Sequence, residues 1–553
     1  MYITDAGKQY KNKYSSCKLL QRSYRDKDGK VKKQTILNLS KLPTAIADAI
    51  EKVVTNKKTN KTPTYLEDIK SESSKSLGEV EVLLKLAKNI GLFSVLKKEL
   101  DKQFFPLVMA MVINRISSPT SKYSLTEWLE TNYLPELLKT DLKNFHHNRL
   151  YEALEELDTK LEKIEQLLFK QTLTRENNLN LILYDITSSY VEGEQNELAA
   201  YGYNRDGKKG KKQIVIGLIT TLQGRPVSIE VLTGNTADKT TLLSRIESLK
   251  TKFGLKQVIY TFDRGMKDEP KLLKLDQQHI KYLTALNKRE IKKLCQDNQS
   301  IQPGLFDEKI AEVQVNNKRY VFCKSDQAAR SHHHREELLQ KTTEKLQLIQ
   351  KGITKKLKDP QKIARVEKWV NRWNMGKYIN ISYTPTSFTF SLDQEKINQA
   401  QLLDKVYVLV TTASNKELTT QQVQHSYKNL NTIENNFRLL KSSLDIRPIY
   451  HRKKETVKAH IFICFLSLYL QKELEILTKN LCLEQKMTFS YLLTQLREIR
   501  QTQLITELDN NKFEVPILTQ LTDIQHKILE VLKMRIKPLP TAIKLNEMSN
   551  CSK

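Results

Sequence analysis

Two aspartates that lie far apart in the sequence each follow an apolar run typical of a buried β-strand. The run NLNLILY leads into Asp185, and the run QVIYTF leads into Asp263. Neighbouring strands can deliver their carboxyl-terminal residues to one edge of a sheet, and two such carboxylates can bind two Mg²⁺ ions about 4 Å apart. This arrangement activates an attacking oxygen and stabilises the leaving oxygen of a phosphodiester. An aspartate after a strand is also a common turn residue, so a structural role is the alternative for each.

A third acidic residue, Glu434, lies in a segment with strong helical periodicity, Gln424–Ile449. The segment contains no glycine, and its only proline is Pro448. Apolar residues recur at three- and four-residue steps, which predicts one amphipathic helix that ends just before Pro448. The apolar positions are Leu430, Ile433, Phe437, Leu440 and Leu444.

Three side chains of this predicted helix, Tyr427, Glu434 and Lys441, are spaced seven residues apart. Seven residues at 3.6 per turn return to within about 20° of the start, so the three form one stripe. Arg438 lies one turn after Glu434. A carboxylate between a tyrosine and two cations fits phosphate chemistry, with Glu434 as the third ligand of a metal site. The alternative interpretation is an ordinary solvated helix face.

The charge of the chain favours a polyanionic partner. Its 553 residues include 91 Lys plus Arg and 63 Asp plus Glu, and 91 − 63 gives a net charge of +28. The excess is spread along the whole sequence, which indicates nucleic acid as the simplest partner. A lysine-rich proteome would explain part of the same excess.

The composition argues against a secreted or membrane-spanning protein. The six cysteines form no Cys-x-x-Cys pair, which predicts free thiols in a reducing cytoplasm. The amino terminus has no apolar run typical of a signal peptide. The most apolar stretch, Ala459–Leu470, has about half the length that spans a bilayer, so we expect it to be a buried core helix. The consecutive His332, His333 and His334 indicate a solvated loop or helix start rather than a metal site.

The N-terminal part predicts a small basic unit followed by helices. In residues 1–60, Asp28-Gly29 is a hairpin turn signal between two basic strands, and residues 61–77 read as a polar linker. Residues 78–172 have helical periodicity that fits either a helix-turn-helix DNA reader or a plain bundle. The hairpin lies along a phosphate backbone or is simply solvated; its basic side chains are Lys11, Lys13, Arg22, Arg25, Lys30, Lys32 and Lys33.

The remaining chain predicts an α/β core that is interrupted once. Residues 173–286 read as strand, strand, strand, helix, strand, helix and strand, with the helix at Asp238–Lys252. Residues 287–400 read as a mixed, β-containing insertion, and residues 401–475 return to a strand and the Glu434 helix. Residues 476–553 are expected to be a helical region. After the first core strand comes a polar loop with Lys208, Lys209, Lys211 and Lys212.

These residues together resemble the DDE transposases of bacterial insertion sequences, in the insertion-sequence-four superfamily. Three matches are short motifs: Tyr184-Asp185-Ile186-Thr187, Gly234-Asn235-Thr236-Ala237-Asp238 and Asp263-Arg264-Gly265. The fourth is the family signature Tyr-x2-Arg-x3-Glu-x6-Lys, which is met at Tyr427, Glu434 and Lys441. Leu430 replaces the signature arginine, and Arg438 is a candidate for the missing cation. The resemblance covers residues 175–475 and, more weakly, the N-terminal region.

The resemblance implies a multidomain α/β protein with a ribonuclease-H-like core. Asp185, Asp263 and Glu434 would be the catalytic residues and the ligands of two Mg²⁺ ions, with Mn²⁺ as an alternative. The enzyme would cleave the element ends and join the freed 3′-hydroxyls to target DNA in a cut-and-paste reaction. The DNA contacts implied or suggested are Tyr427, Lys441, Arg438, Arg264, Lys208, Lys209, Lys211 and Lys212.

The expected partners are double-stranded DNA, as terminal inverted repeats and as target, and a second copy of the chain in a synaptic homodimer. The expected location is the bacterial cytoplasm, on the nucleoid when DNA is bound, with no membrane partner. Two other functions remain open: a non-catalytic or decayed protein that only binds element ends, and a structure-specific metal-dependent nuclease.

Overall fold

The computed structural model describes residues 2–540 with gaps. The gaps are residues 11–12, 27, 55–69, 72–73, 141–145, 177–180, 204–205, 209, 237–251, 254–258, 268, 298–309, 326–327, 353–358, 385–387 and 509–510. The chain divides into two compact units. The smaller unit contains Met1–Ser74, Gln501–Leu518 and Pro538–Lys553, and the larger contains Lys75–Arg500 and Thr519–Lys537.

The smaller unit contains the predicted hairpin. Strands β1 (Tyr2–Tyr10), β2 (Lys13–Arg25) and β3 (Val31–Asn38) form an antiparallel sheet in that order. In the turn, the Asp26 carboxylate accepts hydrogen bonds from the backbone N–H groups of Asp28 and Lys30, both at 3.0 Å. Gly29 has φ +76°, a conformation that favours glycine. A 3₁₀ turn (Leu39–Lys41) and helix α1 (Thr44–Val54) follow.

The C-terminal part is not wholly helical, which corrects the expectation for residues 476–553. The smaller unit also contains β4 (Lys70–Ser71), β17 (Asn511–Leu518) and, except for its first residue, β16 (Arg500–Leu508), which is antiparallel to both others. The segment QTQLITEL carries the β-branched Thr502, Ile505 and Thr506, which favour extended backbone once a partner strand is present. The partner strands of β16 are β4, which is distant in sequence, and β17, which follows a turn. Local periodicity does not register such pairing, so it predicted a helix.

The larger unit begins with helices, as residues 78–172 predicted. A short strand, β5 (Lys75–Ser76), precedes them. One of these helices ends at Ser117, just before Ser118 and Pro119. The helices are α2 (Gly78–Asn89), α3 (Leu92–Glu99), α4 (Phe105–Ser117), α5 (Leu125–Glu130), α6 (Leu134–Leu138) and α7 (Asn148–Arg175).

An eight-stranded mixed sheet forms the centre of the larger unit, in the order β11-β12-β15-β10-β9-β6-β7-β8. Strand β9 is parallel to both β6 and β10, and the other pairs are antiparallel. Helix α8 (Glu269–Gln277) connects β9 to β10, and the predicted helix at Asp238–Lys252 lies mostly outside the described residues. The strands are β6 (Leu181–Tyr190), β7 (Gln213–Thr221), β8 (Pro226–Leu232), β9 (Ile259–Thr261), β10 (Tyr282–Ala285), β11 (Ile310–Val315), β12 (Lys318–Lys324) and β15 (Val406–Thr411).

Residues 287–400 were predicted to be an insertion, but their first part still belongs to the large sheet. After α9 (Lys288–Asp297), the hairpin β11–β12 pairs with β15 and so extends the large sheet. This hairpin can join the sheet only because β15, which comes much later in the chain, pairs with β12. The elements with a separate apolar core begin at Ala328; they are α10 (Ala328–Gln350), α11 (Asp359–Arg372), β13 (Ile379–Tyr383), β14 (Phe388–Leu392) and α12 (Gln394–Asp404). His332, His333 and His334 lie in the first turns of α10.

The predicted single helix over 424–449 is two helices. Helix α13 (Thr420–Lys428) and helix α14 (Leu430–Ser442) are separated by Asn429, which caps both. The chain leaves the helix at Ser443, so Pro448 does not set its end. The remaining helices are α15 (Lys454–Glu484), α16 (Phe489–Arg497) and α17 (Asp523–Val531).

The apolar stretch Ala459–Leu470 is buried within α15, as predicted. Its side chains pack against the helices that precede the sheet; for example, Ser467 donates to the backbone oxygen of Val112 in α4 at 3.0 Å. In the described part of the chain, no helix combines the length and the apolar character needed to cross a bilayer.

Candidate active site

Asp185 lies in the middle of β6, not at its carboxyl end as the sequence suggested. The strand continues to Tyr190 because β7 pairs with it along its whole length, with Asp185 opposite Leu218. The parallel neighbour β9 pairs only with Leu181–Leu183 and ends at Thr261. Beyond Leu183, therefore, one edge of β6 has no strand beside it in the described residues, and Asp185 lies at that opening.

Asp263 follows β9 by two residues. The last parallel pair of β6 and β9 is Leu183 with Thr261, so Asp185 and Asp263 each lie two residues beyond it. The side chains of both aspartates line the same cleft. The predicted convergence of the aspartates therefore holds, although the position of Asp185 within its strand was predicted wrongly.

The Asp263 carboxylate is held by two hydrogen bonds. Its Oδ2 atom accepts from the backbone N–H of Gly265 at 3.1 Å and caps the short 3₁₀ turn Arg264–Met266. Its Oδ1 atom accepts from the hydroxyl of Tyr427 at 3.3 Å. Burial, and secondarily the charge of Asp263, raise the pKa of Tyr427 above its usual value, so its hydroxyl stays a donor near neutral pH.

Glu434 is held by the amphipathic packing of α14. Its predicted apolar face is buried, including Ile433, Phe437 and Leu440, whereas Glu434 is exposed. Asn436 fixes the helix to the sheet, because its buried side-chain amide donates to the backbone oxygen of Gly224 at 2.8 Å, in the turn between β7 and β8. This contact could not be inferred from the sequence.

One cleft of about 640 Å³ is lined by Asp185, Asp263 and Glu434 together. The three carboxylates come from a central strand, a strand end and a helix that are far apart in the sequence. Within the described residues, no three or more His, Cys, Asp or Glu side chains are grouped closely enough to hold one metal ion. The acids thus share a cleft without forming a compact ligand set. Among the described residues, no histidine or cysteine lines this cleft. Its acidic side chains offer carboxylate oxygens, which are hard metal ligands.

Two of the predicted cations do not face this cleft. Lys441 Nζ lies 2.8 Å from Oδ1 of Asp206, and its side chain is only 14% exposed. The Arg438 guanidinium donates to the side chain of Asn435 on its own helix at 2.9 Å. Leu430, at the position of the signature arginine, is buried and lines the cleft.

Arg264 lines the cleft, whereas the predicted lysines of the loop before β7 have other neighbours. Lys208 lies over the ring of Tyr190 at 5.9 Å. Lys211 pairs with Glu192 at 2.6 Å, a hydrogen bond that raises its pKa. Lys212 is half-buried, and Lys209 lies outside the described residues.

Sequence reasoning missed two cations that line the cleft, Lys288 and Lys428. Lys428 directly follows Tyr427 of the signature, and Lys288 comes three residues after β10, much as Asp263 follows β9. The position after a strand was thus an available signal for Lys288. Lys288 also pairs with the buried Asp404 at the end of α12, which lines the same cleft.

Comparison with protein families gives two matches. A family model described as "Transposase DDE domain" matches residues 177–470, which is more than half of the chain. A model described as "IS1634 family transposase, N-terminal domain" matches residues 8–64. No curated protein matches the chain.

Two solved structures can be aligned with the chain at low similarity. A piggyBac transposase synaptic complex with hairpin DNA, solved by cryo-EM, aligns over 77% of this chain and 83% of its own, at 10% identity and a TM-score of 0.36. A Mos1 transposase paired-end complex with the left transposon end aligns over 30% of this chain and 59% of its own, at 12% identity and a TM-score of 0.15.

Proposed function

This chain belongs to the DDE transposase family of insertion sequences and is a DNA transposase, and we propose that it works by a cut-and-paste reaction. In this proposal the enzyme hydrolyses a phosphodiester at each element end and joins the freed 3′-hydroxyl to target DNA. One observation carries the proposal: Asp185, Asp263 and Glu434 line a single cleft although they come from three separate elements.

The strands around Asp185 support a ribonuclease-H-like core. In the order β8-β7-β6-β9-β10, only β7 runs against the others, and the two aspartates belong to the central strand and its parallel neighbour. The core would consist of residues 173–286 and 401–475. The insertion would then be the part with its own apolar core, which begins at Ala328. Residues 1–60 and 78–172 would contact DNA outside the core.

The chemical type of the acidic donors in the cleft, carboxylate oxygen, suits two Mg²⁺ ions, with Mn²⁺ as the alternative. Carboxylate oxygens are the ligands that both ions prefer, and Asp185, Asp263 and Glu434 would hold them. When bound, such a metal pair activates the attacking oxygen and stabilises the leaving one. The protein's own part is to hold the acids: Gly265 and Tyr427 orient Asp263, and β7 and α14 fix the elements that carry Asp185 and Glu434.

The DNA would approach along the basic side chains around the cleft. Arg264 and Tyr427 belong to the cleft lining and would contact a phosphate beside Asp263. Further backbone contacts are proposed for Lys441, Arg438, Lys208, Lys209, Lys211 and Lys212. The substrates would be the terminal inverted repeats and the target duplex, and synapsis of two ends would require a homodimer.

Glu434→Gln tests the assignment of the third acid. We expect the substitution to lower Mg²⁺-dependent cleavage of terminal-repeat DNA by at least about a hundredfold, because the amide is a poor metal ligand and carries no charge. Binding of the same DNA should stay within about threefold, since Glu434 is not proposed to grip the backbone. Gel analysis of cleavage and fluorescence anisotropy of binding measure the two effects.

Asp445→Asn is the matched control for this acid-to-amide change. Asp445 lies just after the same helix, is 51% exposed and is not part of the cleft lining, so its variant should cleave like wild type. Normal cleavage by Glu434→Gln would contradict the triad. A wild-type chain that binds ends and never cleaves would favour the end-binding function, and one that cleaves without joining would favour the nuclease.

A further inference from the structure

A buried carboxylate joins two cations at the end of the Glu434 helix. Asp206 lies in the loop between β6 and β7, and its side chain is only 2% exposed. Its Oδ1 atom accepts from Lys441 Nζ at 2.8 Å and lies 2.5 Å from the Arg447 guanidinium. Its Oδ2 atom accepts from the backbone N–H of Tyr190 at 3.2 Å. Both oxygens of this one carboxylate are therefore used to hold neighbouring elements.

The three partners of Asp206 belong to the elements that carry two of the cleft acids. Tyr190 is the last residue of β6, the strand of Asp185. Lys441 is in the last turn of α14, the helix of Glu434, and Arg447 lies in the segment that follows it. Asp206 therefore connects the strand of one cleft acid directly to the helix of another.

The charges make this contact hard to replace. Lys441 and Arg447 are 14% and 30% exposed, so water solvates them incompletely. Charge-assisted hydrogen bonds to a carboxylate are about twice as strong as neutral ones. Without the negative charge, two partly desolvated cations would face each other, which is unfavourable. An uncharged residue at 206 could not hold both, so the end of α14 would move.

The contact at the carboxyl end of α14 acts together with the join to α13 at its other end. There Asn429, with right-handed helical backbone (φ −70°, ψ −4°), is the single residue between the two helices. Lys441 lies seven residues beyond Glu434, which is about 10 Å along the axis. A contact at that distance sets the tilt of the helix, together with the Asn436 bond to Gly224.

We propose that Asp206 is a positioning residue for DNA cleavage: through Tyr190, Lys441 and Arg447 it holds Glu434 in the arrangement with Asp185 that the reaction requires. Asp206 acts through these groups and does not touch DNA. This inference rests on the proposed function of the cleft. It gives Lys441 a structural role that is separate from any contact with a phosphate.

Asp206→Asn tests the inference, with Asp445→Asn as the matched control in the same region. Single-turnover cleavage of terminal-repeat DNA with Mg²⁺ should have a rate constant at least about tenfold lower in Asp206→Asn, since small displacements of catalytic groups cost up to about a hundredfold. The Kd for the DNA should stay within about threefold. Amide hydrogen exchange over residues 430–442 should be faster than in wild type, and the control should match wild type in all three measurements.

The rate constant separates positioning from general destabilisation, because a partly unfolded sample loses reaction amplitude instead. A rate constant within about twofold of the control would overturn the inference, and so would a tighter Kd with a normal rate, which would make Asp206 a competitor of DNA for Lys441. If wild type does not cleave, the proposed function fails. Unchanged exchange over 430–442 in Asp206→Asn would then contradict the contact itself.

Asp206→Glu keeps the inference testable should Asp206→Asn not fold. It retains the charge and moves the carboxylate by one methylene group, so the cleavage rate constant should fall by at least about threefold at unchanged Kd. A wild-type rate constant in this variant would overturn the inference.

Discussion

At the scale of single residues, two environments of ionisable groups contrast. Asp185, Asp263 and Glu434 are at least partly open to solvent, whereas a cluster of basic groups lies against the segment that follows α14. In that cluster, the His460 ring lies 5.0 Å from the His451 ring. His460 Nε2 lies 3.2 Å from the backbone oxygen of Ile446, and Nδ1 lies 3.5 Å from Lys122 Nζ. The backbone oxygen only accepts, so we assign the proton to Nε2 and treat His460 as neutral.

The same environment keeps His451 neutral. Burial, with the charges of Lys122 and Arg115, lowers the pKa of His451 to about 3 from 6.5. In the pH range between these values the unfolded chain binds a proton that the folded chain does not bind. The contribution of His451 to stability is therefore fully present above pH 6.5 and is lost as the pH falls toward 3.

We predict that the free energy of unfolding decreases as the pH is lowered from neutral to about 4.5, and that His451→Gln reduces this decrease. Guanidinium unfolding midpoints at several pH values measure the effect. The exposed His526 offers the control: His526→Gln should show the wild-type pH dependence. If the free energy of unfolding of His451→Gln depended on pH as it does in wild type, the pKa of His451 would not be lowered by folding.

At the scale of elements, the position of α14 on the sheet depends on a glycine in the β7–β8 turn. Gly224 has φ +83°, and a Cβ atom there would lie 2.4 Å from Cγ2 of Thr432, two residues before Glu434. The absence of a side chain at 224 therefore allows α14 to approach the turn whose backbone oxygen binds Asn436. The sequence shows the glycine but not the helix that requires it.

Gly224→Ala should cost about 1–3 kcal/mol of stability from the positive φ and should also displace α14. We therefore predict a lower single-turnover cleavage rate in addition to a lower unfolding midpoint. Gly193→Ala is the control, because Gly193 has the same φ of +83° and no atom within 4 Å of an added Cβ. It should lose about the same 1–3 kcal/mol from its φ, with a normal cleavage rate. Equal rates in the two variants would show that Thr432 yields without moving Glu434.

At the scale of the whole molecule, the positive charge of the chain favours the binding of DNA. A net charge of +28 that is spread along the sequence attracts a duplex at several places. On strands β2 and β3 and the turn between them, Arg22, Arg25, Lys30 and Lys33 are exposed. In the cleft, Arg264 is exposed as well. Each basic group that neutralises a phosphate releases counterions, so binding must depend on salt.

We predict that the affinity for terminal-repeat DNA falls by about a thousandfold or more between about 50 mM and 200 mM salt, as for about six or more phosphate contacts. Fluorescence anisotropy over a salt series gives the slope. Glu434→Gln should have the same slope, since it removes no cation. A nearly flat dependence would contradict a binding mode based on the phosphate backbone.

The sequence by itself determined the local elements and singled out the candidate acids. The Asp28-Gly29 turn, the buried face of α14, the helices of residues 78–172 and the core strands all follow from short-range periodicity and turn chemistry. The motifs around Asp185, Asp263 and Glu434 identified the family and the candidate triad.

The tertiary structure decided what depends on pairing between distant segments. The whole length of β7 keeps Asp185 inside a strand, β15 brings the β11–β12 hairpin into the sheet, and β17 makes a strand of residues that read as helix. The break at Asn429 and the contacts of Asp206 likewise arise only when the sheet and the helix meet. Their physical cause is the same: packing and hydrogen bonds across long sequence separations outweigh local propensities of a few tenths of a kcal/mol per residue, roughly.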